Sequence, residues 1–144
     1  MNEQFLDIAK LTADTAHEAG LTNIDYRWIY SQFAHETGEF TSRLCTEDCN
    51  LGGLTTDNPT EYELANMGQP DGTMWYKHFD CYEDYARYFG KYLRGYIDGG
   101  IDTASTLEDY IHALKYSPSG AYFGDDYESY LSDCERIYQE EFNA

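Results

Sequence analysis

The sequence predicts an α+β fold, mainly α: helices around one core, with a small β-hairpin lobe at about residues 45–80. Three observations carry that expectation. Apolar residues recur at helical spacing on both sides of the lobe. Between about 45 and 80 the periodicity stops, and glycine and proline punctuate the chain. The length of 144 residues suits one core that needs no staples, so 1–144 reads as a single domain.

The first predicted helix covers residues 2–19. Phe5, Ile8, Ala9, Thr12 and Ala16 share a face, and Gly20 supplies the stop. The second runs from about Asp25 to Thr37. Trp28, Ile29, Gln32, Phe33 and Glu36 fall on one stripe, and Gly38 follows it. Gly52, Gly53, Pro59, Gly68, Pro70 and Gly72 then break the pattern. Gln69-Pro70-Asp71-Gly72 is a turn signal, because proline presets the first turn dihedral and glycine accepts positive φ. Thr73, Trp75, Tyr76 and Phe79 follow as a short strand. Asp80 and Glu83 resemble a capping box. The helix they open carries a stripe of Tyr82, Tyr85, Ala86, Phe89, Leu93, Tyr96 and Ile97 and ends at Gly99-Gly100. Thr106 and Asp109 give a further cap signal ahead of Leu107, Tyr110, Ile111 and Leu114. After a break at Ser117-Pro118-Ser119-Gly120, the last helix spans about 125–141 with Tyr127, Tyr130, Leu131, Cys134, Ile137 and Tyr138 in register.

Charge narrows the partners. Nine basic residues stand against 27 acidic ones, a formal charge of −18 that repels nucleic acid and anionic membranes at long range. Neither is an expected partner. No apolar run approaches transmembrane length, and the start MNEQFLDIAK has no basic n-region or apolar h-region, so no signal peptide is expected. The tyrosines, 15 of them, suit cleft walls that are dry on one edge and wet on the other, although half-buried core accounts for many. Cys45, Cys49, Cys81 and Cys134 allow three pairings. The Cys45–Cys49 gap is not that of a typical zinc knuckle, so no metal site is assigned and no cofactor is expected. Cys134 lies on an apolar helix face and reads as a buried thiol.

Glu36 is the residue that carries chemistry. It shares a stripe with Trp28, Ile29 and Phe33, and it sits in the last turn of its helix, where the macrodipole is negative. Both features disfavour its charged form. A carboxyl kept protonated near neutral pH is what glycoside cleavage needs at the leaving oxygen. A helix-end glutamate turned to solvent is the competing reading. Asp57, Glu61, Glu63 and Asp71 in the aperiodic segment are all candidates for a second carboxylate. His35 projects about 100° away from Glu36 on an ideal helix and is no obvious partner. His78 reads as an ordinary surface histidine or a cleft residue.

The stretch Ser31-Gln32-Phe33-Ala34-His35-Glu36-Thr37-Gly38 resembles a helix end of the glucosaminidase family that includes flagellar and autolysin-type peptidoglycan hydrolases, glycoside hydrolase family 73. That family typically continues Glu-Ser-Gly. Here Thr37 takes the serine position, and Glu39-Phe40 replaces a usual Trp-Gly. Asn50-Leu51-Gly52-Gly53-Leu54 is similar to the family's Asn-Leu-Phe-Gly-Ile, and Thr60-Glu61-Tyr62-Glu63 to a Thr-Glu-Tyr-Glu block carrying a second carboxylate. Phe79 to Leu93 resembles a tyrosine-rich helix of the family. Tyr116 to Leu131 is similar to its closing segment, with Tyr122 and Asp125 as the matched tyrosine and aspartate. The blocks come in order over about residues 25–140.

The resemblance implies a lysozyme-like fold and cleavage of the β-1,4 bond after N-acetylglucosamine in the peptidoglycan glycan strand. Glu36 becomes the general acid and Glu61 the base or charge stabiliser. Asn50, Gly53, Tyr122 and Asp125 become substrate-binding residues. The expected place of action is the bacterial cell wall, reached on a virion, by secretion or on lysis, with a larger phage or cell-wall machine as a candidate partner. Three alternatives accompany it: a structural or glycan-binding module without catalysis, a muramidase or lytic transglycosylase, and an acidic inhibitor of a basic protein.

Overall fold

The computed structural model describes residues 1–57 and 74–143. They form a mainly helical α+β arrangement. Helix α1 spans Glu3–Glu18, α2 Tyr26–Glu36 and α3 Arg43–Asp48. Strands β1, Thr55–Thr56, and β2, Trp75–Tyr76, pair antiparallel with Thr55 opposite Tyr76. Helix α4 spans Tyr82–Tyr92 and continues as 3₁₀ turns over Leu93–Gly99 and Ile101–Thr103. Helices α5, Leu107–Tyr116, and α6, Tyr127–Phe142, complete the chain.

Side-chain caps set most helix starts. Asn2, Asp25, Ser42, Thr106 and Asp126 each accept a backbone N–H from the first turn of α1, α2, α3, α5 and α6. The Thr106–Asp109 signal forms as expected at its first residue, whose hydroxyl accepts from the Asp109 N–H at 3.1 Å. The Asp80–Glu83 capping box does not form. Cys81 is the N-cap of α4 and makes no side-chain cap bond, while Asp80 lies 3.4 Å from His78 Nε2. The predicted helix from Asp80 to Ile97 also tightens at Leu93. Gly95 favours helix poorly, and the Ser119 hydroxyl takes the Gly95 carbonyl at 3.1 Å. The aperiodic segment begins with the short helix α3, which the sequence pattern missed. The turn signal Gln69-Pro70-Asp71-Gly72 lies outside the described residues.

Helix α1 packs on α2 and α4, and α2 packs on α6. The stripe of α2 enters the core as predicted: Ile29, Gln32 and Phe33 are fully buried. Gly90 of α4 lies directly against α1. A Cβ there would stand 2.7 Å from the Thr12 carbonyl oxygen and 2.7 Å from Thr15 Cβ.

All four cysteines are free thiols. Cys45 and Cys134 are fully buried, and Cys49 and Cys81 are partly exposed. Burial pushes the Cys45 thiol up to about 11. Native protein should therefore present Cys49 and Cys81 to a disulfide reagent at neutral pH and protect Cys45 and Cys134, all four reacting in denaturant. Four equally fast thiols in the native state would contradict this packing.

Candidate active site

Glu36 is the last residue of α2 and is half-buried. Its Oε1 accepts the hydroxyl hydrogen of Tyr130, from α6, at 2.5 Å. Burial raises the carboxyl above its ordinary value of 4.5. The Tyr130 bond and His35 oppose that rise, and the negative charge of Asp125 adds to it. The stripe thus carries the carboxyl to a position where burial disfavours its charge, as the helix phase predicts.

The chain leaves α2 through an unusual turn. Gly38, Glu39 and Phe40 all have positive φ, at 58°, 58° and 69°. For glutamate and phenylalanine this conformation is strained. Thr37 holds it: its hydroxyl donates to the Phe33 carbonyl at 2.8 Å and accepts the Phe40 N–H at 2.7 Å. Phe40 stacks on Phe5 with ring centroids 4.2 Å apart. The Glu39-Phe40 pair that departs from the family pattern is therefore part of the scaffold that terminates α2 beside Glu36.

Further groups converge on Glu36. Its charge acts on the hydroxyls of Tyr85 from α4 and Tyr122 from the loop before α6, both raised well above 10 mainly by burial. The Tyr122 hydroxyl donates to the Gly52 carbonyl at 2.6 Å. A Cβ at Gly52 would lie 2.2 Å from the Tyr122 hydroxyl oxygen and 2.4 Å from that of Tyr85, so only glycine fits there. Lys115 ties down the loop, donating to the Phe123 and Asp125 carbonyls at 3.1 and 3.0 Å. The structure thus brings Glu36, Tyr122 and Asp125 into one neighbourhood. Asp125 is exposed.

Asn50 has a different place from the one the resemblance gave it. It is 1 % exposed. Its Nδ2 donates to the carbonyls of Leu54 and Lys77 at 3.0 and 2.9 Å, and its Oδ1 accepts the N–H groups of Gly52 and Leu54. A side chain so occupied holds the loop and the start of the lobe in place and has no free group for a sugar. Gly53 is an exposed turn residue with φ 67° and open space at its Cβ position. Asn50→Ala should cost about 2 kcal/mol, because the Lys77 carbonyl and the N–H groups of Gly52 and Leu54 lose this partner, while the Leu54 carbonyl keeps the Lys77 N–H. Chemical denaturation measures it; an unchanged midpoint would mean that water replaces the amide.

His35 turns to α6, its Nδ1 2.7 Å from Asp133, and His78 Nδ1 lies 2.8 Å from the buried Asp48. Neither is hydrogen-bonded to Glu36: each bonds an aspartate instead, and His35 acts on Glu36 through its charge alone. Glu61, Glu63 and Asp71 lie outside the described residues. No cluster of metal-ligating side chains occurs among the described residues.

Sequence reasoning missed Tyr130, Tyr85 and Gly52. The first two lie on apolar helix stripes and are fully buried in the core. A buried tyrosine nonetheless needs a partner for its hydroxyl, and that requirement was the available signal. Comparison of the chain with protein-family models, with curated proteins and with solved structures returned no match.

Proposed function

We propose that this chain is a lysozyme-like peptidoglycan hydrolase that cleaves the β-1,4 bond after N-acetylglucosamine, with Glu36 as its general acid. One observation carries the reading: the Glu36 carboxyl is held where burial disfavours its ionised form, at the meeting point of α2, α6 and the loop bearing Tyr122 and Asp125. An acid of this kind donates its proton to the leaving glycosidic oxygen. The ordered glucosaminidase-like blocks supply the substrate class. Tyr122 and Gly53 border the sugar site. Asp125 contributes negative charge near the cation that develops at the sugar, a role shared with Glu61 in the family pattern. Peptidoglycan is itself anionic in many walls, so a chain of charge −18 works best when a larger phage or cell-wall machine holds it in place.

Digestion of purified peptidoglycan, borohydride reduction and mass spectrometry test the bond assignment. Reduced N-acetylglucosamine ends are expected. Reduced muramic ends would make the chain a muramidase, and anhydro-muramic ends a transglycosylase. No ends from correctly folded protein would leave a binding module.

A further inference from the structure

We propose that Tyr130, oriented by Gln32 and through it by Tyr110, reserves Oε1 of Glu36 as an acceptor and thereby places the acidic proton on Oε2. The inference rests on the reading of Glu36 as the general acid, and it makes Tyr130, Gln32 and Tyr110 positioning residues.

The chain of bonds is buried and directional. Tyr110, Gln32 and Tyr130 are 0 %, 0 % and 1 % exposed. The Tyr110 hydroxyl donates to Gln32 Oε1 at 2.6 Å, and Gln32 Nε2 stands 3.5 Å from the Tyr130 oxygen. The reverse amide orientation would put an N–H donor 2.6 Å from the Tyr110 oxygen, short for such a bond, and would turn the amide oxygen away from the Tyr110 hydrogen. An amide NH₂ only donates, so the Tyr130 oxygen receives on that side. A tyrosine hydroxyl has one hydrogen, and the acceptor it finds is Glu36 Oε1 at 2.5 Å. A proton on Oε1 would turn that oxygen from a carbonyl-type acceptor into a hydroxyl, a poorer acceptor for the Tyr130 hydrogen. A proton on Oε2 leaves every bond in the chain made. Among the described residues no hydrogen bond engages Oε2. The relay therefore orients the acid as well as anchoring it.

The groups facing Glu36 are His35 on its own helix, Tyr85 from α4, Tyr122 and Asp125 from the loop before α6, and Tyr130 and Cys134 from α6. The Tyr130 bond stabilises the carboxylate against the burial that disfavours it. Loss of that bond must move the Glu36 midpoint upward.

The test is a carboxyl-carbon NMR titration of protein labelled at glutamate, the Glu36 signal being assigned by its loss in Glu36→Gln. Tyr130→Phe, which keeps the ring, should move the Glu36 midpoint up. Tyr110→Phe should move it the same way by less, although Tyr110 bonds Gln32 and not Glu36, because a freed amide can turn its oxygen to the Tyr130 hydroxyl. In an active protein the basic limb of the kcat/KM profile should follow, since the acid must be protonated to work. An unmoved or lowered midpoint in Tyr130→Phe would overturn the proposal. A raised midpoint in Tyr130→Phe with none in Tyr110→Phe would overturn the relay beyond Tyr130. The titration needs no turnover. If the midpoints move as stated in a protein that cuts no wall, the acid role fails while the hydrogen-bond assignment stands.

Discussion

Glu36→Gln should lose about 10²–10⁴-fold of the wall-hydrolysis rate, the usual worth of a general acid, and should fold as the parent does. The amide keeps the shape of the carboxyl, and its oxygen still accepts the Tyr130 hydrogen. The same substitution should stabilise the protein in a defined pH window. Burial raises the folded-state value of Glu36 above its ordinary 4.5, so the native protein favours the protonated form. That contribution is fully present below the ordinary value and is lost as pH rises through the raised one. The variant has no such loss. Urea unfolding of both proteins across this range should show the variant gaining on the parent as pH rises, with a constant difference above the window. An unchanged clearing rate would remove Glu36 from the chemistry, and a difference in stability independent of pH would remove the burial argument.

Gly90→Val should cost about 3 kcal/mol, the upper part of the usual range for overpacking, and lower Tm by about 10 °C for a chain of this size. The atoms that a side chain at Gly90 meets are the Thr12 backbone oxygen and Thr15 Cβ, neither of which can swing aside. Helices α1 and α4 would have to separate, and α4 carries Tyr85 towards the site. Gly90→Ala should cost less, because alanine's better helix propensity offsets part of the clash by up to about 1 kcal/mol. Thermal unfolding of the two variants gives the comparison. A Tm within a degree of the parent for the valine variant would show that the two helices do not approach as closely as described.

The parts of the fold legible in the sequence are those with local causes. Helices α1, α2, α5 and α6 fall near their predicted spans because an apolar stripe and a capping side chain lie within the same dozen residues. The misses have tertiary causes. Asp80 carries a capping pattern yet lies beside His78 across the start of the helix. The stripe to Ile97 changes from α to 3₁₀ where Ser117 and Ser119 bind Asp98 and Gly95 from a later loop.

The site divides in the same way. Glu36 is legible because helix phase, a local property, carries it towards the core, where burial raises its carboxyl. Its bond to Tyr130 is not, since 94 residues separate the partners. Asn50 shows the opposite failure: a motif match pointed to sugar, whereas the side chain is consumed by its own loop. Tyr122 and Asp125, matched only by resemblance, are the substrate-binding expectations whose charge or hydroxyl lies within electrostatic reach of Glu36.

The role of Glu36 as the acid that protonates a leaving oxygen is tested most directly by varying the leaving group. The measurement is the rate of the parent and of Glu36→Gln on a wall-derived glycan and on an N-acetylglucosamine oligomer bearing a dinitrophenyl leaving group, which departs without protonation. A large deficit on the glycan that nearly disappears on the activated glycoside is the predicted result. An equal deficit on both substrates, or none on the glycan, would contradict it.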